Sequence, residues 1–313
     1  MGALPLDLLL SPPVLALVGL CIGSFLNVVV HRLPLVMERQ WWAEVAAHLS
    51  DADAWRRVFA PRDAAALPSA EHAHAGRTLT QSVESLAPLS IARPRSRCPA
   101  CGHELRWFEN IPVLSWLWLK GKCSACGVHI SARYPLVEIA TGALFAGVAW
   151  RFGAQPATLA WCAFAAIVLA LALIDWDTTL LPDSLTLPLL WGGLIAAALG
   201  WTVPLSSALW GAAGGYLSLW SVYQLFKLAT GKEGMGHGDF KLLAALGAWL
   251  GWPMLLPIIL AASALGAVVG LVMKAGGQLR EGRYVPFGPF LAGAGLAVML
   301  VGAPRVLELL GWA

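Results

Sequence analysis

The sequence predicts an all-α polytopic membrane protein, with about eight transmembrane helices and a cytoplasmic insert that contains a zinc ribbon. Three observations predict it. The 313 residues are 58% hydrophobic and only 12% charged, where a soluble domain carries about a quarter charged residues. Apolar runs of membrane-helix length recur along the chain, whose mean hydropathy is +0.69. The basic residues gather on one side of those runs.

The apolar blocks fall at 13–30, 135–150, 156–174, 185–200, 205–228, 240–252, 253–273 and 287–301. No Lys or Arg precedes the first, and it runs into HRLP rather than a small-residue cleavage site. It therefore reads as a retained first helix. Block 240–252 is short enough to be re-entrant. Of 21 Lys and Arg residues, 13 lie between Arg32 and Arg133. Lys227, Lys232, Lys241, Lys274, Arg280 and Arg283 fall in loops that eight spans place on the same side, and only Arg151 and Arg305 fall opposite. The positive-inside rule makes that side cytoplasmic and puts both termini across the membrane. Three parts follow: a first helix at 1–33, the insert at 34–134 and a membrane core at 135–313.

Within the insert, MERQWWAEVAAHL reads either as an amphipathic helix at the membrane surface or as an ordinary packed helix. EHAHAG reads as a loop, since His72 and His74 alone make an incomplete metal site. CPACGHELRW and KGKCSACGVHI are sharper. Cys98 and Cys101 form one CxxC turn, Cys123 and Cys126 another, and a Gly follows each. Two such turns set four thiolates around one tetrahedral ion. A reducing cytoplasm disfavours disulfides, and no thioredoxin-like βαβ pattern surrounds the pairs, so structural zinc is expected. Cys21 and Cys162, inside apolar blocks, read as inert core thiols.

The informative acids lie at block ends. LALALIDWDTTLLPDSLTLP carries Asp175, Asp177 and Asp183, and GMGHGDFK carries Asp239. Ionisable groups at a membrane boundary are costly and usually face a polar cavity. For Asp177 and Asp183 a solvated loop role is equally open. Gly234, Gly236 and Gly238 are expected to supply positive φ and close helix approach before Asp239. Two facing carboxylates share a proton and can activate a water for peptide hydrolysis. Two other classes compete. A proton-coupled transporter would hold its acids near mid-span, often within inverted repeats. A metal-dependent transferase could use Asp175 and Asp177 to hold Mg²⁺.

These stretches together resemble the type IV prepilin peptidases, GxGD-type membrane aspartyl proteases. The resemblance is carried, in order, by GLCIGSFLNVVVHRLP, PRSRCPACGH, NIPVLSWLWLKGKCSACG, ISARYPLVE, LIDWDTTLLPDSLTLPLLW, TGKEGMGHGDFKLLAALGAW and VPFGPF. It implies that Asp175 and Asp239 are catalytic and that Cys98, Cys101, Cys123 and Cys126 form the cysteine tetrad. It also implies cytoplasmic-side cleavage of prepilin and pseudopilin leaders after a Gly. The new N-terminal residue is then methylated from S-adenosylmethionine. The setting is the bacterial inner membrane, in pilus biogenesis and type II secretion, with membrane lipid and no nucleic acid among the partners. The match is weakest over 40–90.

No Gly-rich loop marks a methyl-donor site. Glu109, Asn110, Arg133 and Glu138 are the polar groups near the membrane, each with a capping or pairing role as the simpler reading. Gly19 and Gly23 form a close-packing helix face. VPFGPF is expected to fix a kinked helix start near the aspartates.

Overall fold

The regular structure is helical among the described residues, apart from two isolated β-bridges. The structure is a computed structural model and describes residues 6–59, 70–277 and 285–312. Arg62, Arg280 and Arg283 of the charge pattern lie outside these. A short α1 (Leu6–Leu9) precedes α2 (Pro12–Ser50), α3 (Ala52–Phe59) and α4 (Ala70–Glu84). After α5 (Leu114–Trp118) come α6 (Arg133–Phe152), α7 (Pro156–Thr178), α8 (Asp183–Ala198) and α9 (Leu205–Thr230). The last four are α10 (His237–Leu250), α11 (Leu255–Ala275), α12 (Gly288–Val301) and α13 (Ala303–Leu310). They form two compact units, Met1–Val30 with Arg106–Ala313, and His31–Leu105.

Among the described residues three helical stretches are long and apolar enough to cross a membrane: Pro12–Ser50, Pro156–Thr178 and Trp252–Ala275. A fourth is added if α12 and α13, bent by 104°, count as one span. The other blocks fall short for identifiable reasons. Helices α8, α10 and α12 have 16, 14 and 14 residues. At 1.5 Å per residue they extend only about 21–24 Å, against a hydrocarbon core of about 30 Å. Helix α6 carries Arg133, Glu138 and Arg151, and α9 is diluted by Ser, Gly and Gln.

In the larger unit α10 lies at the centre, flanked by α9, α8 and α12. Every residue from Asp239 to Leu250 except Lys241 is buried. A helix that is apolar all round belongs in a core, and this one is short because protein encloses it. On the α9 side Gly211 and Gly247 bring the two backbones into direct contact, so a Cβ on either would collide with the other's main chain. On the α8 side the Trp249 indole N–H donates to the Leu189 carbonyl at 2.8 Å. Its ring sits 5.0 Å from Phe164 and 5.2 Å from Trp161. Gly19 and Gly23 of α2 lie against Gly142, Thr141 and Glu138 of α6, the close-packing face that their spacing predicts.

The smaller unit corrects two expectations. The first apolar block does not end near residue 30. Helix α2 continues through Pro34 and takes in MERQWWAEVAAHL as its own C-terminal half. Pro34 forfeits only its own bond to the preceding turn, and the Ala, Glu, Arg and Leu residues beyond it are strong helix formers. EHAHAG is not a loop but part of α4. The His72 ring lies 4.9 Å from Trp55, and Gly76 fits against Ala46 and Ser50 of α2. Tertiary contact overrides a weak local signal there. Asp51 accepts the Asp53 and Ala54 N–H groups at the start of α3. These donors hold its carboxyl below the usual aspartate range. Buried Arg32 donates to the carbonyls of Ser90, Ile91, Pro94 and Arg95, which fixes the approach to the first CxxC turn.

Candidate active site

Asp175 lies in the last turn of α7 and Asp239 in the first turn of α10. Both are buried, 5% and 8% exposed. Helix α7 ends because Thr179 adopts a left-handed conformation, φ 56°, with its N–H returned to the Asp175 carbonyl at 2.8 Å. That is an uncommon backbone for a β-branched residue. The reversal folds Leu181 back over the site.

Leu181 reaches two glycines. A Cβ on Gly238 would stand 2.7 Å from its Cβ, and a Cβ on Gly288 would stand 3.2 Å from its Cδ1. The same Gly288 Cβ would stand 2.5 Å from Asp175 Oδ2. Thus the end of α7 and the starts of α10 and α12 converge around Leu181. Within VPFGPF, Gly288 opens α12 with Pro289 in the first turn, where a missing N–H costs nothing.

Gly234 and Gly238 act by close approach, to Phe226 and Leu181, and not by backbone sign, while Gly236 has no close neighbour. None of Gly234, Gly236 and Gly238 has positive φ. Gly236 caps α10 at φ −78°, and Asp239 then sits in the first turn, where exposed N–H groups favour negative charge.

Asp175 Oδ2 and Asp239 Oδ1 are buried without a hydrogen-bond partner among the described residues. Buried polar atoms are nearly always satisfied, so this pair of open acceptors is a place for a water or a polar substrate atom. The outer acids differ. Arg133 donates through both terminal nitrogens to Asp177 at 2.7 and 2.6 Å. Lys241 reaches both oxygens of Asp183 at 2.7 Å. With Asp177 held this way, a Mg²⁺ site on Asp175 and Asp177 would require that pair to break.

The motif VPFGPF, expected to start a helix near the aspartates, supplies Gly288. Leu181, Arg133 as the partner of Asp177, and Lys241 as the partner of Asp183 were not foreseen; of these Lys241 left a signal, two residues beyond Asp239. Nearby, Lys227 bonds Glu233 at 2.8 Å and the Tyr223 hydroxyl at 3.3 Å, and the Tyr223 and His237 rings lie 5.2 Å apart.

The two CxxC turns share one geometry. The backbone N–H of Cys98 donates to the His103 carbonyl and that of Cys123 to the Val128 carbonyl, both at 2.9 Å. Gly102 and Gly127 return to the first cysteine of each turn, at φ 73° and 70°. The ligand atoms of Cys98, Cys101, Cys123 and Cys126 all lie within 4.8 Å of one another. A tetrahedral ion with about 2.3 Å bonds needs sulfurs about 3.8 Å apart, so the cluster is compatible with structural zinc. Cys162 is buried as expected, but Cys21 is exposed on α2 and is not a core thiol.

Three of the four polar groups near the membrane have structural partners. Glu109 accepts the Arg106 N–H at 2.8 Å, Glu138 accepts the Val113 N–H at 2.7 Å, and Arg133 holds Asp177.

Comparison with known proteins decides the family. The model described as the bacterial peptidase A24 N-terminal domain matches residues 17–152, and that of the type IV leader peptidase family matches residues 162–271. The chain belongs to the type IV leader peptidase family. It is 49% identical over 308 residues to the prepilin leader peptidase/N-methyltransferase of Stutzerimonas stutzeri, covering 95% of each chain. It is 48% identical over 294 residues to a protein of that name from Burkholderia pseudomallei strain 1026b, covering 94% of this chain and 86% of the relative. For the Pseudomonas aeruginosa protein of that name the identity is 48% over 291 residues, covering 91% and 89%. No solved structure matches. In this leader peptidase family member, Asp175 lies within the matched range 162–271, as does Asp239.

Proposed function

We propose that this chain cleaves the leader peptides of prepilins and pseudopilins and then N-methylates the new N-terminal residue. The activity follows from family membership and from the names of relatives that match nearly the whole chain. The observation that carries the site is the pair of buried, unpartnered carboxylate oxygens on Asp175 and Asp239.

In this mechanism one carboxylate is ionised and the other holds a proton, because like charges at close range cannot both ionise. The ionised member takes a proton from water, which attacks the scissile carbonyl. The protonated member donates to the leaving amine. Gly288 leaves room beside Asp175 for this exchange. Cleavage creates the amine that the second step needs. A free α-amino group has a pKa of about 7.7–8.0, so part of it is neutral and nucleophilic near neutral pH. S-adenosylmethionine supplies the methyl group when bound, and no residues are assigned to it.

The finer reading has eight spans, the insert 34–134 and both aspartates at the cytoplasmic face of a bacterial inner membrane, with lipid around the helices and no nucleic-acid partner. The domain division 1–33, 34–134 and 135–313 belongs to it. One structural zinc sits on the four cysteines. The charge asymmetry of the loops supports the orientation. The deciding experiment incubates purified protein with a prepilin in detergent, with and without S-adenosylmethionine, and weighs the product. Loss of the leader without the donor, and a further methyl gain with it, are expected. An unchanged prepilin mass overturns the proposal.

A further inference from the structure

The segment 106–122 has an inner face that is fixed and an outer face that nothing covers. Inward, the Trp116 indole donates to the Ile130 carbonyl at 3.1 Å, and the Val113 N–H is held by Glu138. Outward, Trp107 is 76% exposed and Trp118 80%, with Leu114 and Leu117 beside them at 63% and 58%. Arg106, Lys120 and Lys122 are exposed at its two ends, while Glu109, its one acid, is buried. The exposed charge of the segment is therefore wholly positive.

Its depth is also set. Helix α7 is a membrane-length span, and Asp177 marks its polar end. Arg133 pairs with Asp177, so the start of α6 is level with that end. Glu138 is five residues further along α6, roughly 7 Å at 1.5 Å per residue. The hydrogen bond from Val113 to Glu138 thus ties the segment to α6 within about 7 Å of the polar end of α7. Tyr134, Leu136 and Ile139, all within about one turn of Glu138 on α6, are exposed as well.

We propose that residues 106–122 form an interfacial anchor that inserts Trp107, Leu114, Leu117 and Trp118 among the phospholipid headgroups, with Arg106, Lys120 and Lys122 on anionic lipid phosphates. Trp prefers the membrane–water interface because its ring is apolar and its N–H is polar. A short helix with one apolar face and a basic rim lies in that plane. The exposed apolar residues of α6 within about one turn of the Glu138 tether argue for a bilayer as the occupant. The inference stands apart from the catalytic reading and needs only membrane embedding.

The test uses the full chain carrying 5-fluorotryptophan in nanodiscs of phosphatidylcholine with phosphatidylglycerol. Trp107→Phe and Trp118→Phe assign the two fluorine signals, and zinc content confirms folding. Both signals should broaden several-fold more with a lipid spin-labelled just below the headgroup than with an aqueous gadolinium chelate. Pure phosphatidylcholine, or Lys120→Gln with Lys122→Gln in the mixed discs, should reverse much of that preference. Each lost cation should cost about fivefold, the equivalent of ~1 kcal/mol at an anionic surface. Broadening by the chelate alone would show a water-exposed patch and overturn the proposal. Broadening by neither would show that protein, from this chain or a second copy, covers the patch, and overturns it equally. Retained lipid contact that ignores lipid charge would refute the role of the basic rim.

Discussion

The inner and outer aspartates at this end of the bundle are four residues of one chemistry in two environments. Asp177 and Asp183 are part-exposed and each grips a cation on another helix. Asp175 and Asp239 are buried and keep one oxygen apiece without a partner. The outer pairs tie α6 to α7 and α8 to α10, holding the frame while the inner pair stays uncommitted. A carboxylate that is already paired is a fastener. One that is buried and open is chemically available, and the fold bears the cost of leaving it so.

The largest change should come from the inner pair. Asp175→Asn and Asp239→Asn should each lower leader cleavage by at least about a hundredfold, the lower range for loss of a general acid or base, with expression near normal. A prepilin mobility-shift assay reads this, and wild-type cleavage by either variant would break the distinction. Asp239→Asn should still methylate a pre-cleaved pilin with its N-terminal Phe exposed, faster as pH rises toward the amine's pKa. No methyl gain by mass spectrometry, with normal gain in wild type, would place both reactions in one cleft.

Zinc comes next. Replacing Cys98 and Cys123 together should take the metal from one ion per chain to near zero by elemental analysis. Wild-type protein with no zinc and four reactive thiols would sink the tetrad. Gly288→Ala sharpens the inner environment without touching a carboxylate. Its Cβ would meet Asp175 Oδ2, and forcing in one methyl typically costs about 1–3 kcal/mol. Cleavage should fall clearly while zinc stays bound, and an unaffected rate would mean that Gly288 does not shape the pocket. The smallest effect belongs to the outer pairs. Asp177→Asn or Lys241→Gln removes a part-exposed ion pair of less than about 1 kcal/mol, so thermal stability and cleavage should shift only slightly. Loss of activity as deep as that of Asp175→Asn would erase the comparison.

Much of this was legible in the chain, for physical reasons. CxxC turns and aspartates at the ends of apolar runs are local patterns, and each declares its chemistry within a few residues. The apolar blocks foretold helices α6 to α12 to within a few residues. What stayed hidden depends on partners far along the sequence. Gly238 looked like a source of positive φ, whereas it is a gap for Leu181. Pro34 looked like the end of a helix that runs on to Ser50. EHAHAG looked like a loop until Trp55 and α2 were there to pack it. Hydropathy says least about α10, a helix of 14 residues enclosed by protein, which it leaves open between a short span and a re-entrant segment.

That enclosure of α10 has a mechanical consequence. Lipid-facing helices must match the thickness of their bilayer, by tilting or by deforming it. Helix α10 presents almost nothing to lipid, and its position is dictated by Gly211, Gly215 and the Trp249 bond to α8. Thinning or thickening of the membrane is therefore taken up by the outer helices. The carboxylate of Asp239 is thereby mechanically insulated from whatever surrounds the outer helices.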